Sequence, residues 1–207
     1  MSNLIGLYVS SVAIKYEFVE EMLSLVYKQD AVVLDIGSGR SVYKKSLKVG
    51  KYVGLDPYIH DDPSVIQASA LNMPFEDSVF DLAFSVASLY LIGPDCMEEI
   101  VRVLKPGGKL LIFDYNKRVL KGLKAKTDVE HVTWSPHSLR KELNRAGLIR
   151  IQRLTHRPRI KSYYLQPISA LKLKFRGSWV IFICEKPLSY VSSNIKQCRL
   201  FFEVGRE

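Results

Sequence analysis

The run Val32-Val33-Leu34-Asp35-Ile36-Gly37-Ser38-Gly39-Arg40 constrains this chain more than any other stretch. Consecutive apolar residues fit a strand buried on both faces, and the glycines that follow allow a tight turn with nothing bulky between backbone and ligand. The basic, partly apolar run from Val42 to Val49 suits a helix. Strand, turn and helix start together mark the usual place for a small polar ligand in an open α/β sheet. A dinucleotide fingerprint has a third glycine three residues after the second; Val42 stands there, which argues against NAD or FAD. Asp35, two residues ahead of the first glycine, is placed to reach a ligand ammonium directly or through water. Tyr52-Val53-Gly54-Leu55-Asp56 reads as a second buried strand ending in an acid, placed to accept both hydroxyls of a ribose.

Two more stretches follow in order, Ala70 to Asp81 (Ala-Leu-Asn-Met-Pro-Phe-Glu-Asp-Ser-Val-Phe-Asp) and Glu98 to Leu110 (Glu-Glu-Ile-Val-Arg-Val-Leu-Lys-Pro-Gly-Gly-Lys-Leu). With these four motifs across roughly residues 30 to 115, the chain resembles the class I S-adenosylmethionine-dependent methyltransferases of the methyltransferase type 11 kind. The resemblance implies an α/β fold: a doubly wound, Rossmann-like, seven-stranded, mostly parallel sheet of order 3-2-1-4-5-7-6 with an antiparallel edge strand. It implies S-adenosyl-L-methionine as cofactor. Asp35, Gly37, Ser38 and Gly39 would take the amino-acid end, Asp56 and Pro57 the ribose, Ser69, Ala70 and Leu71 the adenine, and Ser85 the rim near the sulfonium. Many relatives carry a glycine where Ser41 stands and an acid where Ser69 stands. The Asn/Asp-Pro-Pro-aromatic motif of amino-methylating enzymes that act on nucleobases or glutamine is replaced here by Ser85-Val86-Ala87-Ser88.

The chain reads as one methyltransferase-like domain over 1–207: a helical cover (1–30), a cofactor-binding core (31–115), a substrate-side and antiparallel-edge region (116–186) and a C-terminal extension (187–207). Ile14, Phe18, Met22, Leu25 and Val26 recur at helical spacing ahead of the first strand. Val65 to Ala68, Phe80 to Val86 and Lys109 to Asp114 read as strands three to five. Pro94 and Asp95 start a helix whose Met97, Ile100, Val101 and Leu104 share one stripe, and Lys105-Pro106-Gly107-Gly108 stops it. Ser135 and Pro136 are an N-cap and first-turn proline, with Leu139, Leu143 and Ala146 as the apolar face and Gly147 as the stop. Leu148 to Leu154 and Trp179 to Glu185 supply the last two strands.

Charge narrows the partners. The 207 residues carry a net +9, and between Arg150 and Arg176 there are eight Lys/Arg and no acid, so RNA or an acidic surface is a candidate contact there beside a small-molecule acceptor. Three cysteines without CxxC spacing, and no Cys/His cluster, give no metal site. No apolar run approaches the ~20 residues that cross a bilayer, and Met1 to Ile14 lacks a basic n-region, so a cytoplasmic location is expected. Methyl transfer to an oxygen or nitrogen of a small, anionic or amphipathic acceptor is the leading expectation. An RNA or ribosomal-protein methyltransferase and a non-catalytic binding or scaffold protein are the alternatives. Where the acceptor must lose a proton, His131 and Tyr90 lead as candidate bases, with His137 and Asp114 beside them on the same side of the sheet.

Overall fold

The computed structural model describes residues 16–117, 132, 134–154 and 179–189. Helix α1 (Tyr16–Ser24) precedes β1 (Val32–Ile36), β2 (Lys51–Asp56), β3 (Val65–Gln67) and β4 (Phe80–Val86). A short α2 (Leu89–Ile92) and a 3-10 turn lead into α3 (Met97–Val103), then β5 (Leu104–Tyr115), α4 (Pro136–Arg145), β6 (Ile149–Leu154) and β7 (Trp179–Glu185). The strands form one sheet in the order β3-β2-β1-β4-β5-β7-β6. β1 to β5 pair in parallel, and β7 runs antiparallel to both β5 and β6. Among the described residues no helix is long and apolar enough to cross a membrane.

Both faces of the central strands are apolar because both are covered. Leu34, Ile36, Val53, Leu55 and Ala83 pack beneath Leu89, Ile100, Leu139 and Leu143 of α2, α3 and α4. On the other face Val33, Leu82, Phe84, Leu111 and Phe113 meet Val19 and Leu23 of α1 with Tyr43 and Leu47. α4 begins as its sequence indicates: Ser135 and Ser138 form a reciprocal capping box ahead of Pro136, and Gly147 follows the helix with φ of 80°.

Three sequence expectations are corrected. Residues 42–49 form successive turns instead of a helix, with N–H bonds from Ser41 to Ser38, Lys44 to Ser41 and Ser46 to Tyr43. Ser41, at φ of 53°, turns the chain out of the right-handed region where a helix would begin, so no helix N-terminus faces the glycine turn. Leu25 is 70% exposed, because α1 ends at Ser24 and the buried face falls on Val19 and Leu23 instead. β5 starts at Leu104, earlier than Lys109, with a register shift between Phe80 and Leu82 that absorbs the Lys105–Gly108 turn. The early cover (1–15), residues 118–131, 133 and 155–178, and the extension from 190 to 207 lie outside the described residues.

Arg102 on α3 ties the β3–β4 connection to the body of the fold. Its guanidinium donates to Glu99 (2.7 and 2.8 Å), to Asp77 (2.8 Å), and to the carbonyls of Phe75 (2.7 Å) and Met73 (3.0 Å). Glu99 in turn accepts from the Met73 N–H at 2.7 Å. A planar fork of donors suits several acceptors at fixed angles, so lysine cannot replace it. Arg102→Lys and Arg102→Ala are expected to lose roughly 1 and 3 kcal/mol in urea unfolding, since charged hydrogen bonds are broken and carbonyls left unpaired. Equal stability of both variants and the parent protein contradicts the clamp.

Candidate functional site: the glycine turn and its two carboxylates

The turn after β1 is fastened on three sides. Gly37 and Ser38 both donate their N–H to the carbonyl of Leu55 at the end of β2 (2.8 and 3.1 Å), and Gly39 donates to Asp56 Oδ2 (2.9 Å). From β4's end, the Ser88 hydroxyl donates to the Gly37 carbonyl at 3.2 Å. Gly37 has φ of 71°, and a Cβ there would stand 2.3 Å from Ser88 Oγ, so both backbone angle and space demand glycine. Ala87, between β4 and α2, is also left-handed, with φ of 53°. Strained backbone of this kind gathers where chain ends surround a ligand cleft.

Asp35 lies inside the sheet at 2% exposure, between Gly54 of β2 and Phe84 of β4 in register. Its Oδ2 accepts from Tyr52 Oη at 2.7 Å. Burial pushes its carboxyl up to about 7; the Tyr52 bond opposes that rise and nearby Asp56 adds to it. Asp56 behaves in the opposite way. Burial alone would raise it, but the His60 ring and the N–H groups of Tyr58 and Gly39 outweigh burial and hold it below the usual carboxylate range. Tyr58 N donates to Oδ1 at 3.0 Å, and His60 Nε2 lies 3.1 Å from the same oxygen. Pro57, beside it, is exposed.

The third patch follows β3. Ser69 is exposed and its Oγ accepts the Leu71 N–H at 3.2 Å; Ala70 is buried and Leu71 is 52% exposed. The β3 end is joined to the end of β2 by a bond from Ala68 N to the Asp56 carbonyl (3.1 Å). Asp35, the glycine turn, Asp56 and Ser69–Leu71 therefore lie on neighbouring strand ends and the connections after them. Ser85 is fully buried one strand over, its hydroxyl without a hydrogen-bond partner among the described residues.

On the far side Asp114, at the end of β5, is wholly buried and accepts the Tyr115 N–H at 2.7 Å. Burial pushes its carboxyl up to about 7, with the Tyr115 and Tyr90 N–H groups and the Trp134 ring opposing. Tyr90 is half-buried and stacks edge-on to Tyr115 at 5.3 Å between ring centroids; burial and Asp114 raise its phenol. His137 is exposed in the first turn of α4, and His131 lies outside the described residues.

A methyltransferase-domain family model matches residues 34–112. The sterol 4-C-methyltransferase strm-1 of Caenorhabditis elegans is 37% identical over 94 residues, covering 42% of this chain and 28% of that protein. Over residues 34–112 the chain is similar to the class I S-adenosylmethionine-dependent methyltransferases. Another relative in that family is the ubiquinone/menaquinone biosynthesis C-methyltransferase UbiE of Pseudomonas fluorescens. It is 28% identical over 144 residues, which are 52% of this chain and 56% of UbiE. The chain thus spans about half or less of the length of these curated relatives. A solved Haemonchus contortus phosphoethanolamine N-methyltransferase 2, in complex with phosphomonomethylethanolamine and S-adenosylhomocysteine, shares the fold. Its TM-score is 0.61 at 19% identity, over 83% of this chain and 53% of that one.

The residues present fit the family's cofactor. Among the described residues, and apart from its two chain neighbours, no atom lies within 4 Å of where a Cβ on Gly39 would stand. Ser38 Oγ, buried and unpartnered among the described residues, lies within the same turn. Sequence reasoning named the acids and glycines but missed their holders. Tyr52 shares a strand face with Asp56 four residues on, and His60 follows Asp56 by four; both spacings were visible, but neither indicates a contact across strands or around a loop.

Two buried acids that hold protons more tightly in the fold than in the unfolded chain make stability fall as pH rises. Asp35 and Asp114 contribute fully below the ordinary carboxylate range, and the contribution is lost as pH climbs through about 7. Asp114→Asn removes one of the two. Its melting temperature is expected to drop about 5 °C less than the parent's between pH 5 and pH 8 in scanning calorimetry; parallel curves contradict the assignment.

Proposed function

We propose that this chain binds S-adenosyl-L-methionine across the glycine turn and transfers its methyl group to a small amphipathic acceptor. The observation that carries this reading is the pair of acids on adjacent strand ends, Asp35 and Asp56, joined through the turn that separates them by the Gly39 bond to Asp56. Asp56 holds the ribose hydroxyls, the turn and Asp35 hold the amino-acid end, and Ser69, Ala70 and Leu71 border the adenine. The donor supplies an activated methyl on a sulfonium with a good leaving group, so the protein's task is alignment and exclusion of water. Ser85 and Tyr90 line the acceptor side. Tyr90's raised phenol stays protonated at neutral pH and serves as a hydrogen-bond donor, which leaves proton acceptance to His131 or to Asp114 where the acceptor requires it.

An oxygen or nitrogen acceptor is the first reading. A carbon acceptor is the second, favoured by two curated relatives named as C-methyltransferases, one of sterols and one of ubiquinone/menaquinone biosynthesis. Both names describe largely apolar acceptors, which supports an amphipathic substrate over a purely anionic one. RNA through the basic segment from Arg150 to Arg176 is the remaining alternative, and a steeply salt-dependent RNA shift is its signature. Labelling a cell extract with radioactive donor, then separating lipid, polar small molecule, protein and RNA, distinguishes the acceptors. Label in the lipid or small-molecule fraction is the expected outcome, and label in RNA alone contradicts it.

Donor binding is tested directly by titration calorimetry with S-adenosylmethionine and S-adenosylhomocysteine. Asp56→Ala is expected to raise Kd roughly 100-fold through loss of two charged hydrogen bonds. Ser69 has its hydroxyl oxygen engaged by Leu71 N–H, so it is a poor acceptor for the adenine amine. Ser69→Asp, restoring the acid many relatives carry, is expected to tighten binding about 5-fold. Unchanged affinity in Asp56→Ala removes the donor site from this cleft.

A further inference from the structure

We propose that Tyr52 is a positioning residue for the donor: its hydroxyl fixes the Asp35 carboxyl beneath the glycine turn and couples donor binding to release of the Asp35 proton to solvent. The proposal rests on the reading that Asp35 receives the donor's ammonium. Three observations carry it. Asp35 sits in the sheet between a glycine and a phenylalanine, so neither strand neighbour offers it a polar side chain. Tyr52, registered against Val33 and therefore on the same face two residues back, reaches forward to Oδ2 at 2.7 Å. That contact occupies one carboxyl oxygen, Oδ2. The buried Ser41 hydroxyl borders the phenol.

The surrounding charges give the coupling its sign. Asp56 on the β2 end faces Asp35 and favours its protonated form, with His60 beside Asp56. Asp62 faces Tyr52 and is itself held by Lys44 at 2.8 Å. β4 presents Phe84. A buried acid in this setting is half-protonated near neutral pH, whereas a cationic ammonium binds the carboxylate only. Donor binding therefore expels a proton, and affinity rises with pH. The Tyr52 hydrogen bond favours the carboxylate; removing it raises the proton affinity of Asp35 and moves the pH dependence upward.

Titration calorimetry of the full chain with S-adenosylhomocysteine between pH 6 and pH 9 tests this with the parent protein, Tyr52→Phe, and Asp35→Asn. The parent is expected to bind roughly 10-fold tighter at pH 8 than at pH 6 and to release close to one proton at pH 6, read from the dependence of heat on buffer ionisation. Tyr52→Phe is expected to bind about 10-fold more weakly at pH 7 and to regain most of the loss by pH 9. A variant that was only misfolded does not recover with pH. Asp35→Asn is expected to bind weakly at every pH. If Asp35→Asn binds like the parent, the donor reading of Asp35 is wrong. If Asp35→Asn loses affinity while Tyr52→Phe keeps the parent's affinity and pH profile, the role given to Tyr52 is wrong and the donor reading stands.

Discussion

The fastening of the glycine turn is the constraint on which the rest depends. Three successive N–H groups, those of Gly37, Ser38 and Gly39, all reach to the end of β2, two to a carbonyl and one to a carboxylate. After this turn the left-handed Ser41 takes the chain out of the helical region. What is gained is a fixed relation between two strand ends: the glycine turn cannot move away from β2 without breaking these bonds. Ser88 closes the third side from β4, against a glycine that tolerates no side chain.

Environment separates the two acids of the cleft although they are chemically the same. Asp35 is sunk between apolar neighbours with one phenolic donor and takes a proton readily. Asp56 is buried too, but it is surrounded by N–H groups and an imidazole that hold it below the usual carboxylate range. Neighbouring acids driven in opposite directions can serve different tasks in one site. The same burial logic acts at Asp114, so proton-holding acids stand at the ends of both β1 and β5, flanking β4.

Much of the core follows from the surface it must bury. β4 and β5 are apolar on both faces because helices or turns cover both, and the stripes of α3 and α4 find their partners on one face of the sheet. The β3–β4 connection is anchored in the core by Ala70 and Met73. It is also held by Arg102 and Glu99, so a charged cluster on α3 helps shape that loop.

The sequence by itself determined the central strands and the capped start at Ser135, and its resemblance to the methyltransferases implied the strand order that the sheet has. Hydrophobic runs, glycines and N-caps act through neighbours in the chain, and the four motifs stand in a fixed order. Only the tertiary structure decided that 42–49 would turn and not coil, that Leu25 would face solvent, and that Tyr52 and His60 would hold the two acids. The physical reason is distance. A periodic pattern records which face of an element is apolar. A hydrogen bond from Tyr52 to Asp35 spans two strands 17 residues apart, and it exists only once the sheet has brought those strands side by side.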